Sequence, residues 1–349
     1  MVILIKSMKK IISSAVVFLL IVSCGKDLPQ STFDTYGPIA EEQAFLFSII
    51  LWAGLIVLVA VELAIIYIFF RYRRKPDSDR KPSQTHGNTK LEIMWTIIPV
   101  IFLAVVSVPV LSAIWNFGTM PENPDVVVNV KGHQFWFEFE YPELDVVTAN
   151  ELHIPVGKKI LINLDSNNVL HSFWIPKIAG KTDIIPNQGN QMWIQADQPG
   201  LYYGQCAEFC GESHALMRFR VVVDNEEDFN SWIEHQKTEA FVPNDPLEKE
   251  GYDIFMSAKA GCGGCHMING SKKAKGKIGP NLTHFGSRLH VAAGIMDNTQ
   301  ENLRAWIENP GKIKPGNVMA SQGAVYMDSN KRLTESEVIA LSAYLQSLQ

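Results

Sequence analysis

The run Cys206-Ala207-Glu208-Phe209-Cys210-Gly211-Glu212-Ser213-His214-Ala215-Leu216-Met217 places two thiols, an imidazole and a thioether in one short loop. Two cysteines four apart can face one centre; the histidine four residues on adds a nitrogen donor, and the methionine three further adds soft sulfur. This ligand set selects copper over harder divalent ions, because soft sulfur stabilises Cu(I) while imidazole suits both oxidation states. Structural zinc uses no methionine and prefers more closely spaced cysteine pairs. The chemistry implied is redox rather than hydrolysis.

Around this loop the apolar period is two. Residues 126–130, 135–142, 160–164, 191–196 and 219–223 read as short strands rich in aromatic and β-branched side chains, separated by Pro-Gly and Asn-Asn turns. Such strands suggest a β-sandwich, whose rigidity on both sides of the loop would limit ligand movement between oxidation states. A second redox motif follows. Cys262-Gly263-Gly264-Cys265-His266 is the attachment signature of a c-type haem: two thioether bonds fix the porphyrin and the adjacent histidine is held at the iron. The competing reading, a thioredoxin-like pair, needs a surrounding βαβ pattern and gives no reason for His266. Helical patterns at 250–259 and 303–309, and a capping box at Thr334-Glu335-Ser336-Glu337 opening a final helix, frame an all-α domain.

The copper run resembles the binuclear CuA loop of cytochrome c oxidase subunit II, and Leu170-His171-Ser172-Phe173-Trp174-Ile175-Pro176 with Lys181-Thr182-Asp183 resembles that family's upstream strand. The resemblance implies a cupredoxin-type sandwich. Its ligands would be His171, Cys206, Cys210, His214, Met217 and the backbone carbonyl of Glu208, with the Glu208 side chain reaching a magnesium or manganese ion at the border with subunit I. Gly132-His133-Gln134-Phe135-Trp136-Phe137 resembles the family's aromatic patch. Phe135 stands where the family has the exposed tryptophan that receives electrons, and Trp136 is its neighbour, placed by strand alternation on the opposite face. Phe137 and Phe139 read equally well as sandwich filling. His133 and His153 are not at ligand spacing and read as ordinary surface or hydrogen-bonded histidines.

The last hundred residues resemble a class I cytochrome c, with Gly279-Pro280-Asn281-Leu282 as the loop bracing the haem histidine. Lys314-Pro315-Gly316-Asn317-Val318-Met319 resembles the loop carrying the second axial ligand, a thioether that raises the haem potential. Met319 is the first choice. Ala320 stands where the family usually has proline, and the stretch to the last helix is longer, so Met327 is the alternative.

The chain has 349 residues, five cysteines and a formal net charge of −5. With mean hydropathy +0.04, a single soluble core is not expected, and two metal motifs leave no disulfide framework. The charge is uneven. Residues 118–247 carry 8 Lys and Arg against 19 Asp and Glu, whereas 248–349 carry 12 against 9. Opposite signs on two joined domains favour mutual docking, with ordinary solubility as the plainer explanation, and no nucleic-acid partner is expected.

Residues 1–23 read as a secretory signal, with Lys6, Lys9 and Lys10 before an apolar stretch, and Ile21-Val22-Ser23-Cys24 resembles a bacterial lipobox in which Cys24 is acylated. The alternative is a plain signal with an incidental cysteine. A short outer segment, 24–42, precedes a transmembrane hairpin over 43–117. Its spans at 44–70 and 93–117 flank a loop, 71–92, whose basic residues place it in the cytoplasm. Glu62 is an acid inside the first span, where pairing with a partner subunit is the expected use. Glu92 opens Glu92-Ile93-Met94-Trp95-Thr96-Ile97-Ile98-Pro99, a stretch resembling the start of the family's second helix, where the glutamate stands at the entrance of a proton pathway. An interfacial acid facing water is the other reading.

The domain order expected is therefore a lipoprotein signal, a two-helix hairpin, a cupredoxin-like domain at 118–228, a linker at 229–247 and a cytochrome c domain at 248–349. The resemblance implies a plasma-membrane subunit II with both redox domains on the outer, periplasmic face, beside subunit I and subunit III. Its external donor would be a cytochrome c or an upstream quinol-oxidising complex. Two rivals share the metal sites: the small subunit of a CuA-containing nitric oxide reductase, and a lipid-anchored carrier with no catalytic partner. The spans and Glu92 argue against the carrier, and the intact copper ligands argue against a quinol oxidase.

Overall fold

The computed structural model describes residues 28–73, 84 and 87–349. The expected signal segment, Cys24 and much of the expected cytoplasmic loop lie outside the described residues. Glu41–Met120 form one compact unit, and the described residues through Ala40 together with Pro121–Gln349 form another.

The first unit is two long helices, α1 (Pro38–Arg71), whose first residues belong to the other unit, and α2 (Thr89–Gly118). With 34 and 30 residues they run to about 51 and 45 Å, longer than the ~30 Å hydrocarbon core of a bilayer. Both are long and apolar enough to cross a membrane. Their side chains show no amphipathic stripe because nearly all are apolar, the composition expected when lipid rather than a protein core receives them. Asn88 caps α2, its Oδ1 accepting from the Lys90 and Leu91 amides. Glu92 therefore sits in the first turn, where the positive end of the helix dipole favours an acid. Pro99 and Pro109 lie within α2.

In the second unit ten strands form two five-stranded sheets with orders β3-β2-β1-β5-β8 and β4-β10-β9-β6-β7. The strands are β1 Val126–His133, β2 Trp136–Tyr141, β3 Val146–Ala149, β4 Glu151–Pro155, β5 Ile160–Ser166, β6 His171–Trp174, β7 Thr182–Ile184, β8 Asn190–Ile194, β9 Gly200–Cys206 and β10 Arg218–Asp224. Along β2 the alternation sends Phe137, Phe139 and Tyr141 inward, all fully buried, and leaves Glu138 and Glu140 on the other face. The rings of Phe137, Phe173 and Phe219 meet beneath the copper loop, Phe173 stacked on Phe219 at 4.6 Å and Phe137 at 5.0 Å from Phe219. Each such ring contributes roughly 1.5–3 kcal/mol of burial, so the base under the loop is among the firmest parts of the sandwich.

Two sequence expectations change here. Residues 134–135 form the turn between β1 and β2, so strand alternation does not separate Phe135 from Trp136, and both border one cavity. Helix α3 (Glu226–Gln236) is capped by Asn225 and buries Phe229 and Ile233; Trp232 stacks on His153 at 4.1 Å and lies edge-on to Tyr141 at 5.6 Å. It belongs to the sandwich, and the expected linker at 229–247 shortens to the stretch after residue 236.

The cytochrome region is helical. Helices α4 (Pro246–Phe255), α5 (Cys262–Cys265), α6 (Gln300–Glu308) and α7 (Glu335–Ser347) surround a core that includes Phe255, Leu282, Leu303, Leu341 and Tyr344. The capping box at Thr334 is formed: its side chain accepts from the Glu337 amide, and Glu337 accepts from the Thr334 amide at 2.8 Å. Gly251 lets α4 lie directly on α7, since a Cβ there would collide with the Ala340 carbonyl.

Candidate functional site

The copper loop leaves β9 at Cys206, makes one 3-10 turn over His214–Leu216 and enters β10 after Met217. Because β6 pairs with β9 (Phe173 opposite Cys206) and with β7, His171 is held beside the first thiol. The Cys206 and Cys210 sulfurs are 3.9 Å apart. Cys206 Sγ lies 3.8 Å from His171 Nδ1 and 3.2 Å from the Glu208 carbonyl oxygen. Cys210 Sγ lies 3.7 Å from His214 Nδ1 and 3.8 Å from Met217 Sδ. Metal bonds of about 2.0–2.3 Å at tetrahedral angles put neighbouring ligand atoms roughly 3.3–3.8 Å apart. The six donors thus fall into two groups, one around each sulfur, and the donor set suits copper.

The surroundings prepare these groups for metal. His171 Nε2 faces Asn168 Oδ1 at 3.2 Å, a contact that places the ring proton there and leaves Nδ1 open towards Cys206. A hydrogen bond from the Cys210 thiol pulls the Cys206 thiol down to about 3, whereas the same bond, followed by burial, pushes Cys210 up. A metal needs both sulfurs as thiolates, so its binding releases protons. Gly132 packs against the His171 ring and Gly211 against Phe135, both close approaches that a Cβ would obstruct. Gln134 Nε2 donates to the Cys210 carbonyl at 2.6 Å. Glu208 is half-buried, its carboxylate 3.9 Å from the Lys181 ammonium, and its neighbour Phe209 is 74% exposed.

The second site is a cavity of about 1310 Å³ of empty space, open mouth included, in the cytochrome region. Cys262, Cys265, His266 and Met319 all border it. His266 Nδ1 donates to the Pro280 carbonyl at 2.8 Å, which leaves Nε2 as the free acceptor, and burial lowers its pKa so that the imidazole is neutral. Gly279 lies flat against this ring. Met327 is 66% exposed. Burial pushes the Cys262 thiol up to about 12, the reverse of the lowered thiol that a disulfide-exchange pair uses. Two further basic residues line the cavity wall, Arg288 half-buried and Lys314 buried, and among the described residues neither has a carboxylate at ion-pair distance. An apolar pocket with two thiols, a neutral imidazole, a thioether and basic groups without a carboxylate partner fits a haem, whose propionates are anionic.

Gln134, Phe135 and Trp136 of the sandwich border the same cavity. Phe135 is only 3% exposed, because the cytochrome region covers it, so it is not the open aromatic expected at that position. Trp136 is half-buried and stacks on His133 at 4.1 Å; His133 is itself buried rather than on the surface, and burial, with Lys131 and His171 nearby, pushes its pKa down to about 4. His153 is hydrogen-bonded as expected, to Asp224 at 2.8 Å.

Residues 29–113 match the family model for the transmembrane domain of cytochrome c oxidase subunit II, 145–225 the model for its periplasmic domain, and 248–349 the model for cytochrome c. The chain is 40% identical to cytochrome c oxidase subunit 2 of Alkalihalophilus pseudofirmus, over 85% of either chain. It is 32% identical to cytochrome c oxidase subunit 2 of Bacillus subtilis (strain 168), over 99% of either chain. A quinol oxidase subunit 2 from the same Bacillus strain is 35% identical over 65% of this chain and 71% of its own.

Proposed function

The chain belongs to the cytochrome c oxidase subunit II family and carries a C-terminal cytochrome c domain, and from that premise we propose that it is the electron-entry subunit of a respiratory oxidase. Paired with subunit I, it passes electrons to the haem-copper centre there, where oxygen is reduced to water and protons are translocated. The observation that carries this reading is the convergence of four further donors on two thiols 3.9 Å apart, an arrangement that a quinol-accepting subunit would not need.

His171, Cys206, Cys210, His214, Met217 and the Glu208 carbonyl hold a binuclear copper centre. Cys262 and Cys265 attach the haem, with His266 and Met319 as its axial ligands. Between them the two groups supply reversible one-electron chemistry. The protein's part is to keep both sets of ligands in place and to exclude water, as the near-complete burial of His171, Cys206, Cys210 and Met217 does. Saturated ligand sets leave no open position for oxygen in this subunit.

Four narrower roles go with this reading. The Glu208 carboxylate shares a magnesium or manganese ion with subunit I, Glu92 stands at the entrance to a proton pathway, and Cys24 is lipidated. The two helices anchor the chain in the plasma membrane with the redox domains outside, beside subunit III, receiving electrons from a cytochrome c or a quinol-oxidising complex. The helices support the anchoring. Loss of a fatty-acid label in Cys24→Ala and slowed proton uptake in Glu92→Ala are the expected outcomes for two of these roles.

The test of the main reading is oxygen uptake by the complex purified through this subunit, with ascorbate and a mediator as donor. Rapid uptake that disappears in Cys206→Ser/Cys210→Ser is the expected result. Consumption of nitric oxide as sole acceptor without oxygen uptake would replace the reaction while leaving the metal ligands in place.

A further inference from the structure

The copper and cytochrome domains meet along a seam of buried, directional hydrogen bonds, and Lys314 is part of it. It sits in the loop leading to Met319, yet its ammonium crosses to the sandwich and donates to the Phe135 carbonyl, with a second bond of 3.3 Å to the Ala292 carbonyl of its own domain. The residue is 3% exposed. Burying an ammonium costs several kcal/mol unless its donors are satisfied, so a lysine here is an expensive choice for a mere spacer.

The carbonyl it holds belongs to the 134–135 turn, and Gln134 of that turn donates to the Cys210 carbonyl at 2.6 Å. A continuous chain of hydrogen bonds thus runs from the loop bearing Met319, through Lys314 and the turn, to the copper loop. Ser213 Oγ of the copper loop answers it, donating to the Pro315 carbonyl at 2.5 Å. Farther along the seam, Glu151 accepts from the Leu289 and His290 amides at 2.8 and 3.0 Å. Arg220 donates to the Gly294 carbonyl at 2.7 Å while lying over the Tyr203 ring. A domain that swung freely on its linker would leave these groups exposed and solvated instead.

We propose that Lys314 is a positioning residue that pins the cytochrome domain on the 134–135 turn of the copper domain, so that donor and acceptor stay seated rather than meeting by diffusion. The pin rests on the reading of this chain as a conductor between haem and copper. Transfer over a fixed seam is insensitive to solvent viscosity, whereas transfer limited by domain docking slows as viscosity rises.

The experiment uses the purified oxidase complex carrying wild type, Lys314→Met or Lys314→Gln. It records haem-to-copper transfer after photoreduction at increasing glycerol, and amide hydrogen exchange across 132–136 and 289–294. The wild type should transfer at a rate independent of viscosity. Lys314→Met should transfer more slowly. It should also become viscosity-dependent and exchange faster in both segments, with the copper spectrum unchanged. Lys314→Gln keeps amide donors and should fall between. Wild-type rate and exchange in both variants would overturn the pin, as would viscosity dependence in the wild type, a result that needs no variant to fold. Absence of any haem-to-copper transfer in the wild type would instead overturn the functional reading, and the exchange data would still judge the pin.

Discussion

Gly132→Ala tests whether His171 is a copper ligand held by packing. A Cβ at residue 132 would lie 2.6 Å from His171 Cδ2, 3.1 Å from Cγ and 3.4 Å from Cβ. Carbon atoms in contact prefer about 3.5–4.0 Å, so the ring must retreat by roughly 1 Å. It has little room: His171 is fully buried, its strand is paired to Ile184 on β7, and the Phe137 ring stands edge-on at 6.5 Å. A functional metal site tolerates ligand displacements of only about 0.2 Å. The overpacking should cost about 1–3 kcal/mol of domain stability, and copper affinity should fall by about 10–100-fold, as when the support of a ligand is lost. Copper content per chain and the electron paramagnetic resonance spectrum of the purified complex measure the effect. Gly251→Ala, which forces a Cβ against the Ala340 carbonyl in the cytochrome domain, is the control for strain without a displaced copper ligand. A Gly132→Ala complex with full copper and an unaltered spectrum would refute the reasoning.

Other outcomes follow from the same geometry. Met319→Ala should abolish the methionine-to-iron charge-transfer band, whereas Met327→Ala should keep it, because Met319 borders the cavity and Met327 is 66% exposed; the reverse result would move the ligand. Tyr141→Phe should cost about 1–3 kcal/mol in denaturant melts, since the buried hydroxyl donates to the His153 carbonyl at 2.7 Å and accepts from its amide at 2.9 Å, leaving both unpaired. Burial, with Lys131 and His171 nearby, pushes the His133 imidazole down to about 4 in the folded chain, against about 6.5 for an exposed imidazole, so the unfolded chain is the more protonated between these values. Stability should be full above 6.5 and fall by up to about 3 kcal/mol as pH drops to 4; the wild-type minus His133→Phe difference in melting temperature isolates this, and a flat difference would contradict it.

Much of this molecule follows from patterns local in the chain. Hydrophobic runs long enough for a bilayer, the period-two strands, the capping box at Thr334 and the spacing in Cys206–Met217 and in Cys262–His266 each depend on residues a few positions apart, and the structure forms an element at each. Strands β3, β4 and β9 carry no clear pattern of their own, and β6 and β7 are legible only through the family resemblance. They are short or mixed in polarity, as in Val146-Val147-Thr148-Ala149, and pairing with neighbouring strands makes them strands. The acidic stretch from Asp224 to Leu247 reads as a linker that starts with a short helix around Phe229–Gln236; that helix, α3, belongs to the sandwich, whose surface supplies the partner for Phe229 and Ile233.

What the sequence by itself determined is the chemistry available: which donors exist, at what spacing, and therefore which metals and which redox group they suit. What only the tertiary structure decided is which groups meet. His171 comes to within 3.8 Å of Cys206 through the pairing of β6 with β9, Met319 rather than Met327 borders the cavity, and Lys314 crosses a domain boundary to hold the Phe135 carbonyl. The reason is physical. Ligand type is a property of single side chains, but burial, close approach and the pairing of a charged group depend on surfaces brought together from distant parts of the chain.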